Sequence, residues 1–167
     1  QGAACPQGKY GATSESSGVP TCLACGAGQY QDLVGQAKCK MCAKGKYSAA
    51  SDQDGLPTSE DVCTACPAGS YAPTEGAHEC LLCPPGSFCS GTGTLEYTEC
   101  AAGRYTSLSD QTECDLCPKG KFQDQRGSAV CTGCPAGKYL GTEGATGAGK
   151  CTQCPDGKYS DSEGSEA

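Results

Sequence analysis

The apolar positions of this chain follow a period of 17 residues. Nine of its ten aromatic residues stand sixth in a hexapeptide that opens with cysteine and carries glycine fourth: CPQGKY at Cys5, CGAGQY at Cys25, CAKGKY at Cys42, CPAGSY at Cys66, CPPGSF at Cys83, CAAGRY at Cys100, CPKGKF at Cys117, CPAGKY at Cys134 and CPDGKY at Cys154. Successive openings lie 20, 17, 24, 17, 17, 17, 17 and 20 residues apart, a 17-residue period with insertions in the first, third and eighth copies. Self-similarity at a fixed period is the signature of a repeat architecture. The recurring aromatics are Tyr10, Tyr30, Tyr47, Tyr71, Phe88, Tyr105, Phe122, Tyr139 and Tyr159, and Tyr97 alone is out of register.

Each slot predicts an element. Proline second presets φ for the i+1 site of a type I turn with glycine at i+3, so the chain is expected to reverse at every CPxG. A short segment such as "KYS" leads out, a second turn signal ("TEGA", "DQDG", "QRGS") follows, and a short segment returns to the next cysteine, which reads as a two-stranded ribbon. The repeats are 1–24, 25–41, 42–65, 66–82, an atypical 83–99, 100–116, 117–133, 134–153 and a truncated 154–167. Burying one Tyr or Phe returns about 1.5 to 3 kcal/mol, an order of magnitude less than ordering 17 residues costs at about 1.5 kcal/mol each. A crosslink around a loop of about 15 residues adds roughly 3 kcal/mol. The ring is therefore expected to stack over that crosslink and against the neighbouring repeat.

Composition supports the crosslink. The chain has 17 cysteines in 167 residues, no Trp, two Phe and one Met, too little for a conventional core and typical of a disulfide scaffold in an oxidising, extracellular setting. A net charge of −7, with 12 Lys and Arg scattered singly among 19 acids, argues against nucleic acid as a partner. No stretch approaches the roughly 20 apolar residues of a membrane helix, and the first residues lack a signal-peptide layout. There is no Asn, so N-linked glycans are excluded, whereas 15 Ser and 14 Thr leave O-glycans open.

The second cysteine of most repeats follows the first by 14 residues and precedes the next opening cysteine by two residues, giving seven CxxC pairs. The assigned bridges are Cys5 to Cys22, Cys25 to Cys39, Cys42 to Cys63, Cys66 to Cys80, Cys100 to Cys114, Cys117 to Cys131 and Cys134 to Cys151. In the fifth repeat Tyr97 takes the closing slot and an extra Cys89 appears, so the repair is a short Cys83 to Cys89 bridge. Cys154 is left over, its partner due at position 168, and Gly2 occupies the slot where a preceding CxxC would begin. The expectation is an excerpt of a longer array, with pairing of Cys154 across a junction as the alternative. The pattern C-P-x-G-x-[YF], about eight residues, C-x-x-C resembles the ephrin-receptor-like cysteine-rich repeats of extracellular proteins. It is also similar to the first submodule of tumour necrosis factor receptor cysteine-rich domains, in which the opening cysteine pairs with the next one. The second, interlocked submodule of that receptor family is lacking, so its cytokine-binding role does not carry over.

The same residues bear on other chemistries. CxxC pairs thirteen residues apart (Cys22/Cys25 with Cys39/Cys42, Cys63/Cys66 with Cys80/Cys83, Cys114/Cys117 with Cys131/Cys134) approach a zinc-ribbon spacing, but they run on continuously instead of closing in sets of four. No strand–helix context marks a redox CxxC, and the single His78, in "EGAHEC", reads as a solvated loop residue. Asp52, Asp54, Glu60 and Asp61 form an acidic loop in 51–61 without the ligand order of a calcium loop. No metal, cofactor or catalytic residue is expected. The predicted fold is an elongated irregular-to-β solenoid of tandem disulfide-stapled ribbons with almost no helix, spanning on the order of 100 Å. The first functional reading is a non-enzymatic extracellular rod, stalk, surface coat or filament subunit whose partners are further copies, head to tail or side by side, or other extracellular proteins. The second is a segment of a receptor ectodomain that recognises a ligand through the fifth repeat, with Cys89 and "GTGTLEY", or through the acidic loop.

Overall fold

The computed structural model of the chain describes residues 4–13, 20–49, 57–156 and 163–165. Among them every strand belongs to a two-stranded antiparallel ribbon. β1 (Lys9–Thr13) pairs β2 (Pro20–Ala24), β3 (Gln29–Tyr30) pairs β4 (Lys40–Met41), β5 (Lys46–Tyr47) pairs β6 (Thr64–Ala65), and β7 (Ser70–Tyr71) pairs β8 (Leu81–Leu82). β9 (Ser87–Phe88) pairs β10 (Thr98–Glu99), β11 (Arg104–Tyr105) pairs β12 (Asp115–Leu116), β13 (Lys121–Phe122) pairs β14 (Thr132–Gly133), and β15 (Lys138–Tyr139) pairs β16 (Thr152–Gln153). The described residues contain no α-helix. Two single 3-10 turns, Glu60–Val62 and Ala148–Lys150, take up inserted residues just before Cys63 and Cys151.

The reversal at CPxG differs from its sequence reading by one register step. The closing hydrogen bond runs from the fifth residue to the carbonyl of the second, as in Lys9 N to Pro6 O at 3.2 Å, Ser87 N to Pro84 O at 3.0 Å and Lys121 N to Pro118 O at 3.1 Å. The second residue is therefore i and glycine is i+2, with φ near +80° at Gly8, Gly45, Gly86 and Gly120. This is a type II turn, not a type I turn with proline at i+1, because its i+2 site requires the left-handed backbone that glycine adopts without penalty.

Backbone contacts divide the chain into two units: Gln1–Pro67, Tyr71–Leu81 and Thr92–Glu96 in the first, Ala68–Ser70, Leu82–Gly91 and Tyr97–Ala167 in the second. Within each, one ladder recurs. In the first, Gly28 N donates to Ser48 O (2.7 Å), Ser48 N to Ala77 O (3.0 Å) and Gly76 N to Cys42 O (2.8 Å). In the second, Gly103 N donates to Gln123 O (2.7 Å), Gln123 N to Ala145 O (3.0 Å) and Gly144 N to Cys117 O (2.8 Å). The turn glycine of one repeat thus bonds the residue after the aromatic in the next, and that residue bonds the middle loop of the repeat beyond. The carbonyl of each turn glycine also accepts from the next opening cysteine, as in Cys42 N to Gly28 O (2.8 Å) and Cys117 N to Gly103 O (2.9 Å). Both polar groups of this peptide are satisfied, as burial demands.

The turn glycine is required twice over. A Cβ at Gly28 would collide with the carbonyl of Gly76, and one at Gly86 with the carbonyl of Gly127, in each case two repeats further on. The backbones approach too closely for a side chain as well as adopting a conformation that disfavours one.

Candidate functional site

The opening cysteines are the most deeply buried set of side chains in the repeats. Cys25, Cys42, Cys66, Cys83, Cys100, Cys117 and Cys134 are fully buried, and Cys5 nearly so. The structure joins Cys5 to Cys22, Cys25 to Cys39, Cys42 to Cys63, Cys66 to Cys80, Cys83 to Cys89, Cys100 to Cys114, Cys117 to Cys131 and Cys134 to Cys151. Their Cα separations run from 5.4 Å at Cys5–Cys22 to 6.2 Å at Cys83–Cys89, inside the range a disulfide spans without moving backbone. The four sulfurs of the first ribbon-like CxxC quartet belong to three different bridges: Cys22 with Cys5, Cys25 with Cys39, and Cys42 with Cys63. Cys154 is a free, half-buried thiol whose amide donates to Gly137 O at 3.0 Å.

The aromatic rings lie at two depths. Tyr30 is buried with Cys42 and Cys63, a bridge of the next repeat, and Phe122 with Cys134 and Cys151, likewise one repeat on, together with Leu140 and Ala145. Tyr10, Tyr47, Tyr71, Phe88, Tyr105 and Tyr139 are half-buried, and Tyr159 lies outside the described residues. The more deeply buried position is the one after the ring: Gln31, Ser48, Ala72, Cys89, Thr106, Gln123 and Leu140 are all buried. These seven share no single chemistry, so apart from Cys89 their residue types gave no sign of them. Their fixed offset from the aromatic is the signal that would have found them. Where glutamine stands there, its amide closes the loop: Gln123 Nε2 donates to Val130 O (2.7 Å) while Gln125 N donates to Gln123 Oε1 (2.9 Å). Gln31 repeats the clamp, donating to Lys38 O (2.5 Å) and accepting from Leu33 N (3.0 Å).

Charged groups are dispersed. Lys40 Nζ lies 2.7 Å from Asp32 Oδ1 and 5.8 Å from the centre of the Tyr30 ring. The hydrogen bond from Lys40 holds the Asp32 carboxyl below its ordinary range, and the same bond holds the Lys40 ammonium above its own. In the acidic loop, Asp52 and Asp54 lie outside the described residues. Glu60 pairs with Lys46 at 2.9 Å, and Asp61 accepts from Ser59 Oγ at 3.2 Å. His78 is largely exposed, 3.7 Å from Glu79. Two open grooves in the second unit each have one aromatic residue in their lining. Phe88, Glu99, Arg104, Glu113 and Arg126 are among those lining one of about 310 Å³, and Tyr105, Pro118 and Lys121 are among those lining another of about 210 Å³. The fifth repeat leaves Leu95 and Tyr97 exposed.

Three tandem stretches, residues 11–53, 56–100 and 103–148, match the family model described as tyrosine-protein kinase ephrin type A/B receptor-like. The chain belongs to the ephrin-receptor-like family. The three matches cover most of its 167 residues and run across the repeat pattern of cysteine, glycine and aromatic described above. No curated protein matches the chain. Ephrin-receptor-like repeats closed by eight disulfides make this an extracellular, disulfide-rich domain. Among the described residues, no helix is long and apolar enough to cross a membrane.

Proposed function

We propose that this ephrin-receptor-like array is a non-enzymatic structural segment, a rod within a stalk, surface coat or filament. The observation that carries the reading is the ladder: among the described residues, successive repeats within each unit engage one another through the same backbone bonds, so a longer array needs no new contact type. An interior rich in bridges suits an element exposed to proteases and mechanical load better than a compact apolar core would. Further copies, joined end to end or side by side, are its partners on this reading, and exposed Thr64, Thr98, Thr132 and Thr152 on the returning strands are acceptors for O-glycans.

A second reading, a ligand-recognising segment of a receptor ectodomain, is favoured by the groove that Phe88 helps to line and by exposed Leu95 and Tyr97 in the atypical repeat. Electron microscopy of the purified protein, paired with sedimentation over a range of concentrations, separates the two. Extended particles that associate into regular filaments support the structural reading. Isolated particles that stay monomeric at every concentration count against it.

A further inference from the structure

We infer that the fifth repeat is a built-in cleavage point, at which one cut by an extracellular endopeptidase with a pocket for leucine or tyrosine separates the chain into two disulfide-closed fragments. In the other bridged repeats the opening cysteine is tied to a cysteine 14 to 21 residues later, so the bridge encloses the middle loop. In the fifth, Cys83 is tied to Cys89 only six residues on, and Cys89 fills the buried position after Phe88. The closing slot holds Tyr97. No bridge therefore links a cysteine before Ser90 to one after Glu99.

No disulfide closes this segment, and hydrogen bonds are among the contacts that hold it. Gly93 N donates to Cys66 O (2.7 Å), Ala72 N donates to Thr94 O (3.0 Å), and Thr98 and Glu99 pair with Phe88 and Ser87. A crosslink around a loop of about 15 residues changes the population of open forms by roughly a hundredfold, and proteolysis follows that population when reclosing is fast. Leu95 is 48% and Tyr97 43% exposed, so the open segment offers side chains that an endopeptidase pocket accepts. Hydrolysis at Tyr97 breaks the bond from its carbonyl carbon to Thr98 N. Water supplies hydroxyl to the carbonyl and a proton to the new amine.

The same cut elsewhere has a different consequence. Within a bridged loop it leaves both ends tethered by sulfur. The two-residue connectors of the CxxC pairs, such as Leu81–Leu82, are held by a crosslink at each end and by ribbon pairing, too short a stretch to lie extended in a protease cleft.

The test is limited proteolysis of the native, oxidised protein, followed by denaturation without reductant and mass measurement. With chymotrypsin, the first separable fragments are expected to end at Leu95 or Tyr97. Glutamyl endopeptidase gives a sharper reading, because every glutamate before Cys154 other than Glu96 and Glu99 sits inside a bridged loop. The paired substitution Tyr97→Cys with Cys89→Ala restores the 14-residue spacing and leaves both glutamates, and is expected to slow release by about a hundredfold. Should that variant misfold, amide exchange of the unaltered protein decides: residues 93–99 are expected to exchange at least tenfold faster than the equivalent 110–116. First separation at Leu81 or Leu82, fragments that part only on reduction, or equal exchange in the two segments would overturn the proposal.

Discussion

Replacing Gly86 by alanine measures how much the ladder depends on close backbone approach. Gly86 sits at φ +82°, where an L-residue costs about 1 to 2 kcal/mol. An added Cβ would collide with the carbonyl of Gly127, so one strand must move. Movement weakens two bonds, Gly86 N to Thr106 O (2.7 Å) and Cys100 N to Gly86 O (2.9 Å), each worth about 1 kcal/mol net and more if a buried group is left unpaired. The sum is about 3 to 4 kcal/mol. Gly137 supplies the control: its φ is +81°, yet no described atom lies within 4 Å of a built Cβ, so Gly137→Ala carries the conformational term of about 1 to 2 kcal/mol alone. The difference of about 2 kcal/mol is more than a tenfold change in local opening. Native-state hydrogen exchange reads it, at the Cys100 amide for Gly86→Ala and at the Cys154 amide for Gly137→Ala, each against the unaltered protein. Exchange is a better readout than a global melt because a repeat array opens locally. Equal acceleration in the two variants would refute the reasoning.

Asp110 is the one non-glycine among the described residues with positive φ (65°), at a loop site where Gly35, Gly76, Gly93, Gly127, Gly144 and Gly164 stand in other repeats, so Asp110→Gly should raise the melting temperature through a gain of about 0.5 to 1 kcal/mol. Gln123→Leu removes both bonds of the amide clamp and should cost about 1 to 3 kcal/mol, seen as faster exchange of the Gln125 amide, whereas Gln123→Glu, which keeps the acceptor, should retain that amide's protection. The lowered Asp32 carboxyl makes its pairing with Lys40 a stabilising contact above the ordinary carboxylate range that is lost as pH falls through the lowered value. Lys40, raised, contributes below the ordinary ammonium range and loses its contribution as pH rises through the higher value. A carboxyl titration by NMR should therefore place Asp32 below free aspartate, and Lys40→Met should return it to the ordinary range.

The ribbons were legible because every repeat writes them in the same residues: a cysteine, a turn glycine and an aromatic at fixed offsets. The turn type was not, because CPxG satisfies two registers that differ by one residue. Proline at i+1 with glycine at i+3 and glycine at i+2 look alike on paper, and the closing hydrogen bond and the positive φ at glycine separate them. The buried position after the ring escaped notice for a different reason. It is buried whichever residue fills it, Ala72, Ser48, Leu140 or Gln31, and period-based reading rewards identity instead of burial. Asp110 was hidden because aspartate is an ordinary turn residue, and nothing local demands that this turn site be left-handed. Of the acidic loop that the charge pattern singled out, Glu60 pairs with Lys46 and Asp61 accepts from Ser59, while Asp52 and Asp54 lie outside the described residues.

The central claim is that sulfur bridges, together with the backbone ladder they allow, hold these repeats in place of an apolar core. Amide exchange before and after complete reduction, with chelator present to remove any metal, tests it most directly. The account predicts that protection at Cys42, Cys66, Cys100 and Cys117 amides, all ladder donors, collapses once the bridges open. Retention of that protection in the fully reduced, metal-free protein would contradict it.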